Sequence, residues 1–129
     1  MEILLMSYLA GTKNITKKYL SKMDLNKILF IPTAGNVEPY TGYIDEGIEM
    51  LRSLGYELEI IDISKFDEDY LKDRVSMTEC ICISGGNTFY LLQELKKKNL
   101  VDLLFKRIKE GLLYIGESAG AIIMSKSIE

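Results

Sequence analysis

Apolar residues in this chain come in short runs, set apart by longer stretches in which they recur at every third or fourth position. The runs span Glu2 to Met6, Lys27 to Ile31, Glu57 to Ile63, Cys80 to Ile83 and Leu112 to Ile115, each bounded by turn residues or polar segments, and they predict five strands. The helically spaced stretches are Ile15 to Met23, Tyr43 to Leu54 closed by Gly55, Thr88 to Lys98, and Val101 to Lys109 closed by Gly111. Phe66 to Val75 is polar and charged and reads as a short helix or a surface connection, its acidic run a solvated face. Lys96, Lys97 and Lys98 fall at a predicted helix end, where cations complement the helix dipole. Strands alternating with helices predict an α/β domain built on a parallel sheet.

With 129 residues and 47% hydrophobic content, the chain is long enough for one core and too short to expect two. Its 19 acidic and 16 basic residues leave a formal charge of -3, which favours neither nucleic acid nor an anionic membrane and points to a small molecule or peptide as partner. No run approaches the roughly 18 apolar residues of a membrane helix. The apolar opening Ile3 to Met6 follows Glu2 rather than a basic stretch, so it reads as a first strand and not a signal peptide. A soluble, cytoplasmic protein is expected.

Cys80 and Cys82 alternate with isoleucines and fall on one face of a strand, where they read as small core residues. They lack the second ligand pair that zinc requires, and no metal or cofactor is expected. The absence of histidine is more informative, because histidine is the usual general base.

Ligands of open parallel sheets collect at the carboxyl ends of strands. Three loops fall there: Thr33 to Asn36, Ser84 to Thr88, and Gly116 to Gly120. The last, Gly116-Glu117-Ser118-Ala119-Gly120, has the G-x-S-x-G pattern of a nucleophile elbow between a predicted strand and a helix-like run. Its glycines permit a tight turn that lifts the Ser118 hydroxyl to the sheet edge and aims the Ala119 N–H at a substrate carbonyl. The plainer reading is a close strand-to-helix turn with Ser118 as helix cap. Ser84-Gly85-Gly86-Asn87-Thr88 also joins a strand to a helix and offers N–H groups for an oxyanion or a phosphate, although it matches neither dinucleotide nor P-loop spacing. Its plainer reading is a glycine turn with Asn87 as N-cap.

Taken together, Ile31-Pro32-Thr33-Ala34, then Gly85-Gly86-Asn87-Thr88-Phe89 with Leu91-Leu92, then Tyr114-Ile115-Gly116-Glu117-Ser118-Ala119-Gly120-Ala121 resemble the S51 peptidases, the family of dipeptidase E and cyanophycinase. The N-T-F form is more similar to the dipeptidase branch. The resemblance is to the front part of such a peptidase, up to just past the elbow. It implies a three-layer sandwich around a mostly parallel, doubly wound sheet like that of class I glutamine amidotransferases, here C-terminally truncated and with a core face left uncovered. It also implies cofactor-independent hydrolysis of short peptides, after an N-terminal aspartate in dipeptidase E. By motif, Ser118 is the nucleophile, Ala119 and Gly86 are the backbone oxyanion donors with Gly85 as fallback, and Gly85 and Asn87 line the substrate site.

In this family the catalytic histidine and its acidic partner lie downstream of the elbow, on chain that this sequence lacks. Glu117 and Lys126 are poor substitutes: the first occupies the free position of the elbow, and an unburied lysine is protonated at neutral pH. The expected partners are a short peptide substrate and either a second copy or a complementing chain. The alternatives are an interaction module that keeps the fold without catalysis, and a glycine-loop binder of phosphorylated small molecules.

Overall fold

A computed structural model of the chain describes residues 2–127, with side chains as far as Met124. Five strands form one sheet: β1 (Glu2–Met6), β2 (Lys27–Ile31), β3 (Glu57–Ile60), β4 (Cys80–Ile83) and β5 (Leu113–Glu117). Their order is β1-β5-β4-β2-β3, with every neighbouring pair parallel. Six helices accompany them: α1 (Lys13–Leu20), α2 (Gly42–Ser53), α3 (Glu68–Met77), α4 (Thr88–Lys97), α5 (Val101–Lys109) and α6 (Ala119–Ser127).

The two-residue alternation of the strands sorts the core into two layers. Ile28, Phe30, Leu113 and Ile115 meet Tyr19 and Leu20 of α1 and Met50 and Leu51 of α2. Leu29, Ile31, Ile81, Ile83 and Tyr114 face the other way, onto Leu71 of α3, Leu91 of α4, Leu104 of α5 and Ile123 of α6. Central strands buried on both faces read as continuous apolar runs, which is why β2 and β4 were legible in the sequence. Each fully buried Leu, Ile or Phe contributes about 1.5–3 kcal/mol relative to exposure. Cys80 and Cys82 lie in the α1/α2 layer; burial pushes the Cys80 thiol up to about 12 and raises that of Cys82 as well.

The expectation of a C-terminally truncated sandwich with an uncovered core face is corrected by this arrangement. Strand β5 lies in the sheet interior between β1 and β4, so the helix that follows it packs over the middle of the sheet and not beyond an edge. There α6 closes the layer, with Ile123 and Met124 6% and 1% exposed. The described residues therefore form a doubly wound sandwich with helices on both faces. On the outer surface of that layer, an apolar groove runs between α4, α5 and α6 with the exposed Phe89 on its wall.

Two element boundaries differ from expectation for local reasons. Strand β3 stops at Ile60 because Asp62 turns the chain: its carboxylate accepts the Ser64 N–H at 3.0 Å, opening a short 3-10 turn over Ile63–Lys65. The polar segment left open between helix and surface connection is α3, started by Asp67, whose carboxylate accepts the Tyr70 N–H at 2.9 Å.

Candidate active site

Strand β5 ends in a strained turn. Ser118, between β5 and α6, has φ of 51°, the left-handed region that costs a non-glycine residue roughly 1–2 kcal/mol. Several contacts hold it there. The Ser118 N–H donates to the Met6 carbonyl at 2.8 Å, and the Ser118 carbonyl accepts the Ile122 N–H at 2.9 Å, tying the turn to β1 and to the first turn of α6. The flanking glycines are required by space: a Cβ on Gly116 would stand 2.7 Å from the Gly120 carbonyl oxygen, and one on Gly120 would stand 2.5 Å from that of Ile83. The fully buried Tyr114 donates its hydroxyl to the Gly120 carbonyl at 2.7 Å and so straps α6 back onto β5.

The glycine loop after β4 abuts this turn. A Cβ on Gly85 would stand 3.0 Å from the Ser118 Cβ. Of the four successive backbone N–H groups from Ser84 to Asn87, three are engaged. Ser84 donates to the Ile31 carbonyl at 3.1 Å, Gly85 to a Glu117 carboxylate oxygen at 3.1 Å, and Asn87 to the Ala34 carbonyl at 2.8 Å. Of these four, the Gly86 N–H is the one without a partner among the described residues. Gly86 has φ of 142°, and a Cβ there would fall 2.1 Å from the Ala34 carbonyl oxygen, so this position admits only glycine.

Ser118 and Gly86 open onto one cavity of about 410 Å³, lined also by Ser7, Tyr8, Glu38, Tyr40, Tyr43 and Glu117. Ala119, the residue after Ser118, opens α6, at a helix end where first-turn N–H groups lack intrahelical partners. Gly85 lies buried behind Ser118, its N–H turned to Glu117. Asn87 is exposed, caps α4 by accepting the Tyr90 N–H at 2.9 Å, and is not among the residues lining the cavity.

Glu117 is 1% exposed, with one carboxylate oxygen accepting the Leu9 N–H at 2.7 Å and the other the Gly85 N–H. Burial raises its pKa above the ordinary value, the N–H groups of Leu9 and Gly85 oppose that rise, and Glu46 adds to it. Neither oxygen is hydrogen-bonded to the Ser118 hydroxyl. The Lys126 side chain lies outside the described residues. Among the described residues no group of three His, Cys, Asp or Glu is placed to hold a metal ion, and no helix is long and apolar enough to cross a membrane.

Sequence reasoning missed the aromatic wall. Tyr8 follows β1, its hydroxyl donating to Glu46, and the rings of Tyr40 and Tyr43 meet at 6.2 Å. The strand-end rule that singled out three loops applies equally to the loop after β1 and would have found Tyr8. Tyr40 and Tyr43, around the start of α2, carry no such signal.

A serine in left-handed backbone, wedged between close-packed glycines at the carboxyl edge of a doubly wound sheet, defines an α/β protein whose turn has the geometry of a nucleophile elbow. The model of Peptidase family S51 matches residues 3–129, and the chain belongs to that family of serine peptidases. The match thus runs through essentially the whole chain and does not end just past the elbow, because α6 and the residues after it carry the family pattern too. An uncharacterized peptidase of Listeria monocytogenes is 40% identical over 86% of this chain and 54% of its own length. One from Pasteurella multocida is 34% identical over 99% of this chain and 62% of its own. A crystal structure of a candidate peptidase E from Listeria monocytogenes superposes with a TM-score of 0.89 at 37% identity, over 94% of this chain and 60% of that one. The chain therefore spans a little over half the length of these relatives.

Proposed function

We propose that Ser118 is the nucleophile of a serine peptidase acting on short peptides. The Ser118 oxygen adds to the scissile carbonyl carbon as its proton passes to solvent water in the open cavity. The carbonyl oxygen becomes an oxyanion held by the N–H groups of Gly86 and Ala119. The C–N bond then breaks as the amine takes a proton from solvent water, leaving an ester on Ser118 that water hydrolyses. The observation that carries this reading is the strained Ser118 backbone, with φ of 51°, facing the one unengaged N–H of the glycine loop. Strain of this kind concentrates at functional sites.

Turnover requires a base for the Ser118 proton, and the sequence holds no histidine. Glu117 is occupied by two backbone N–H groups. Loss of the base in a comparable triad costs on the order of 10⁶-fold in kcat, whereas an oxyanion hole with binding alone retains roughly 10³ to 10⁴ over water. These 129 residues on their own are accordingly proposed to react at Ser118 with activated reagents slowly, over long incubation, and to turn over peptides more slowly still. An aspartyl preference, implied by the resemblance, would need a cation to receive the substrate carboxylate; among the described residues the cavity lining supplies none.

The lack of histidine also favours a second reading, an interaction module with the peptidase fold and no catalysis. Short-peptide hydrolysis and labelling by a serine-directed phosphonate, compared between wild type and Ser118→Ala, separate the two. Labelling that Ser118→Ala abolishes supports the peptidase reading. A folded protein with neither labelling nor Ser118-dependent hydrolysis supports the module.

A further inference from the structure

Glu117 occupies the variable position of the elbow, where the motif demands nothing, yet it is the most deeply buried acidic side chain described, at 1% exposure. A buried carboxylate is costly unless hydrogen-bonded. Here that cost is offset by two backbone donors 76 residues apart in sequence: Leu9, in the turn after β1, at 2.7 Å, and Gly85, in the loop after β4, at 3.1 Å. With Glu117 itself at the end of β5, one carboxylate ties together the ends of three adjacent strands.

The consequence lies in the peptide geometry of the glycine loop. Two flexible glycines in succession have little intrinsic reason to hold one orientation. Gly85 is pinned from one side by Glu117, and Asn87 from the other by the Ala34 carbonyl at 2.8 Å. The intervening Gly86, whose N–H is left without a partner among the described residues, lines the Ser118 cavity. Charge-assisted bonds to a carboxylate are roughly twice as strong as neutral ones, so Glu117 is the stronger of the two pins. Resting on the peptidase reading for its chemistry, we propose that Glu117 is a positioning residue: it takes Gly85 out of the oxyanion set and fixes Gly86 as the donor opposite Ala119. Its carboxylate acts through the loop and does not touch the substrate.

Glu117→Gln is the direct test. The amide accepts from one N–H but presents its own N–H₂ to the other, so one strap is lost with little change in volume. A saturating series with a serine-directed phosphonate gives the limiting rate of Ser118 modification and the half-saturating concentration separately. The expected result is a limiting rate down by about 10²-fold with half-saturation little changed, since small misplacements of positioned groups cost that much. Arg107→Met, which removes bonds to the Val75 and Thr78 carbonyls away from the site, serves as a destabilised control and should label at the wild-type rate. Amide exchange of Gly85 in Glu117→Ala, which removes both straps, gives a readout independent of chemistry: slow in wild type and accelerated in Glu117→Ala, but unchanged in Arg107→Met. Wild-type labelling kinetics in a folded Glu117→Gln protein, or a Gly85 amide that exchanges equally fast in wild type and a folded Glu117→Ala protein, overturns the assignment. If wild type itself is not labelled at Ser118, the peptidase reading fails, and the exchange measurement alone decides whether Glu117 holds the loop.

Discussion

Gly86 rests against the Ala34 carbonyl so closely that a Cβ on it would come within 2.1 Å of that oxygen. The loop after β4 and the loop after β2 are thereby in backbone contact, and Asn87 adds a hydrogen bond to the same carbonyl at 2.8 Å.

From that contact, Gly86→Ala is expected to destabilise the fold by about 1–3 kcal/mol, the usual range for forcing an added methyl into a packed site, with strain from the positive φ in addition. Urea unfolding of the variant measures it. A stability equal to wild type would mean that the loop does not sit on Ala34.

Tyr114→Phe tests the strap between β5 and α6. The substitution removes a fully buried hydroxyl that donates to the Gly120 carbonyl at 2.7 Å. Unfolding measurements should show a loss of about 0.5–1.5 kcal/mol, with phosphonate labelling of Ser118 slowed because α6 carries the proposed Ala119 donor. No change in either would show that the elbow does not depend on this bond.

Asp62 braces the Thr33–Val37 turn after β2, and its effect depends on pH. Burial would raise its pKa, but bonds from Ser64, Asn36 and Thr33 outweigh it and hold the carboxyl below its ordinary value. A depressed folded value favours the folded state above the unfolded pKa, and the benefit is lost as pH falls through the folded one. The stability gap between wild type and Asp62→Asn should therefore be widest above about pH 5 and narrow on acidification below the ordinary aspartate value of about 3.9. Denaturation midpoints at a series of pH values measure the gap; one that widens toward acid would contradict the assignment.

The order of strands and helices was readable because apolar runs and helical spacing report burial directly. What the sequence concealed were the long-range contacts. Glu117 looked like the free position of a motif, and only the parallel pairing that sets β5 between β1 and β4 brings it to Leu9 and Gly85. Asn87 carried both a capping and a ligand-lining reading, and its side chain caps α4 by accepting the Tyr90 N–H. Tyr40 and Tyr43 reach the Ser118 cavity from the start of α2, away from any strand end, so local spacing held no trace of them, whereas the strand-end rule would have found Tyr8 after β1. The expected C-terminal truncation failed for the same reason, since an interior position for β5 cannot be read from its own residues.

The central claim is that Ser118 is a working nucleophile set opposite the Gly86 and Ala119 N–H groups. Intact-mass analysis after incubation with a fluorophosphonate tests it most directly. The account predicts a single adduct, mapped to Ser118 by peptide sequencing and absent from Ser118→Ala. A folded wild-type protein that gains no adduct, or gains one elsewhere that persists in Ser118→Ala, would contradict it.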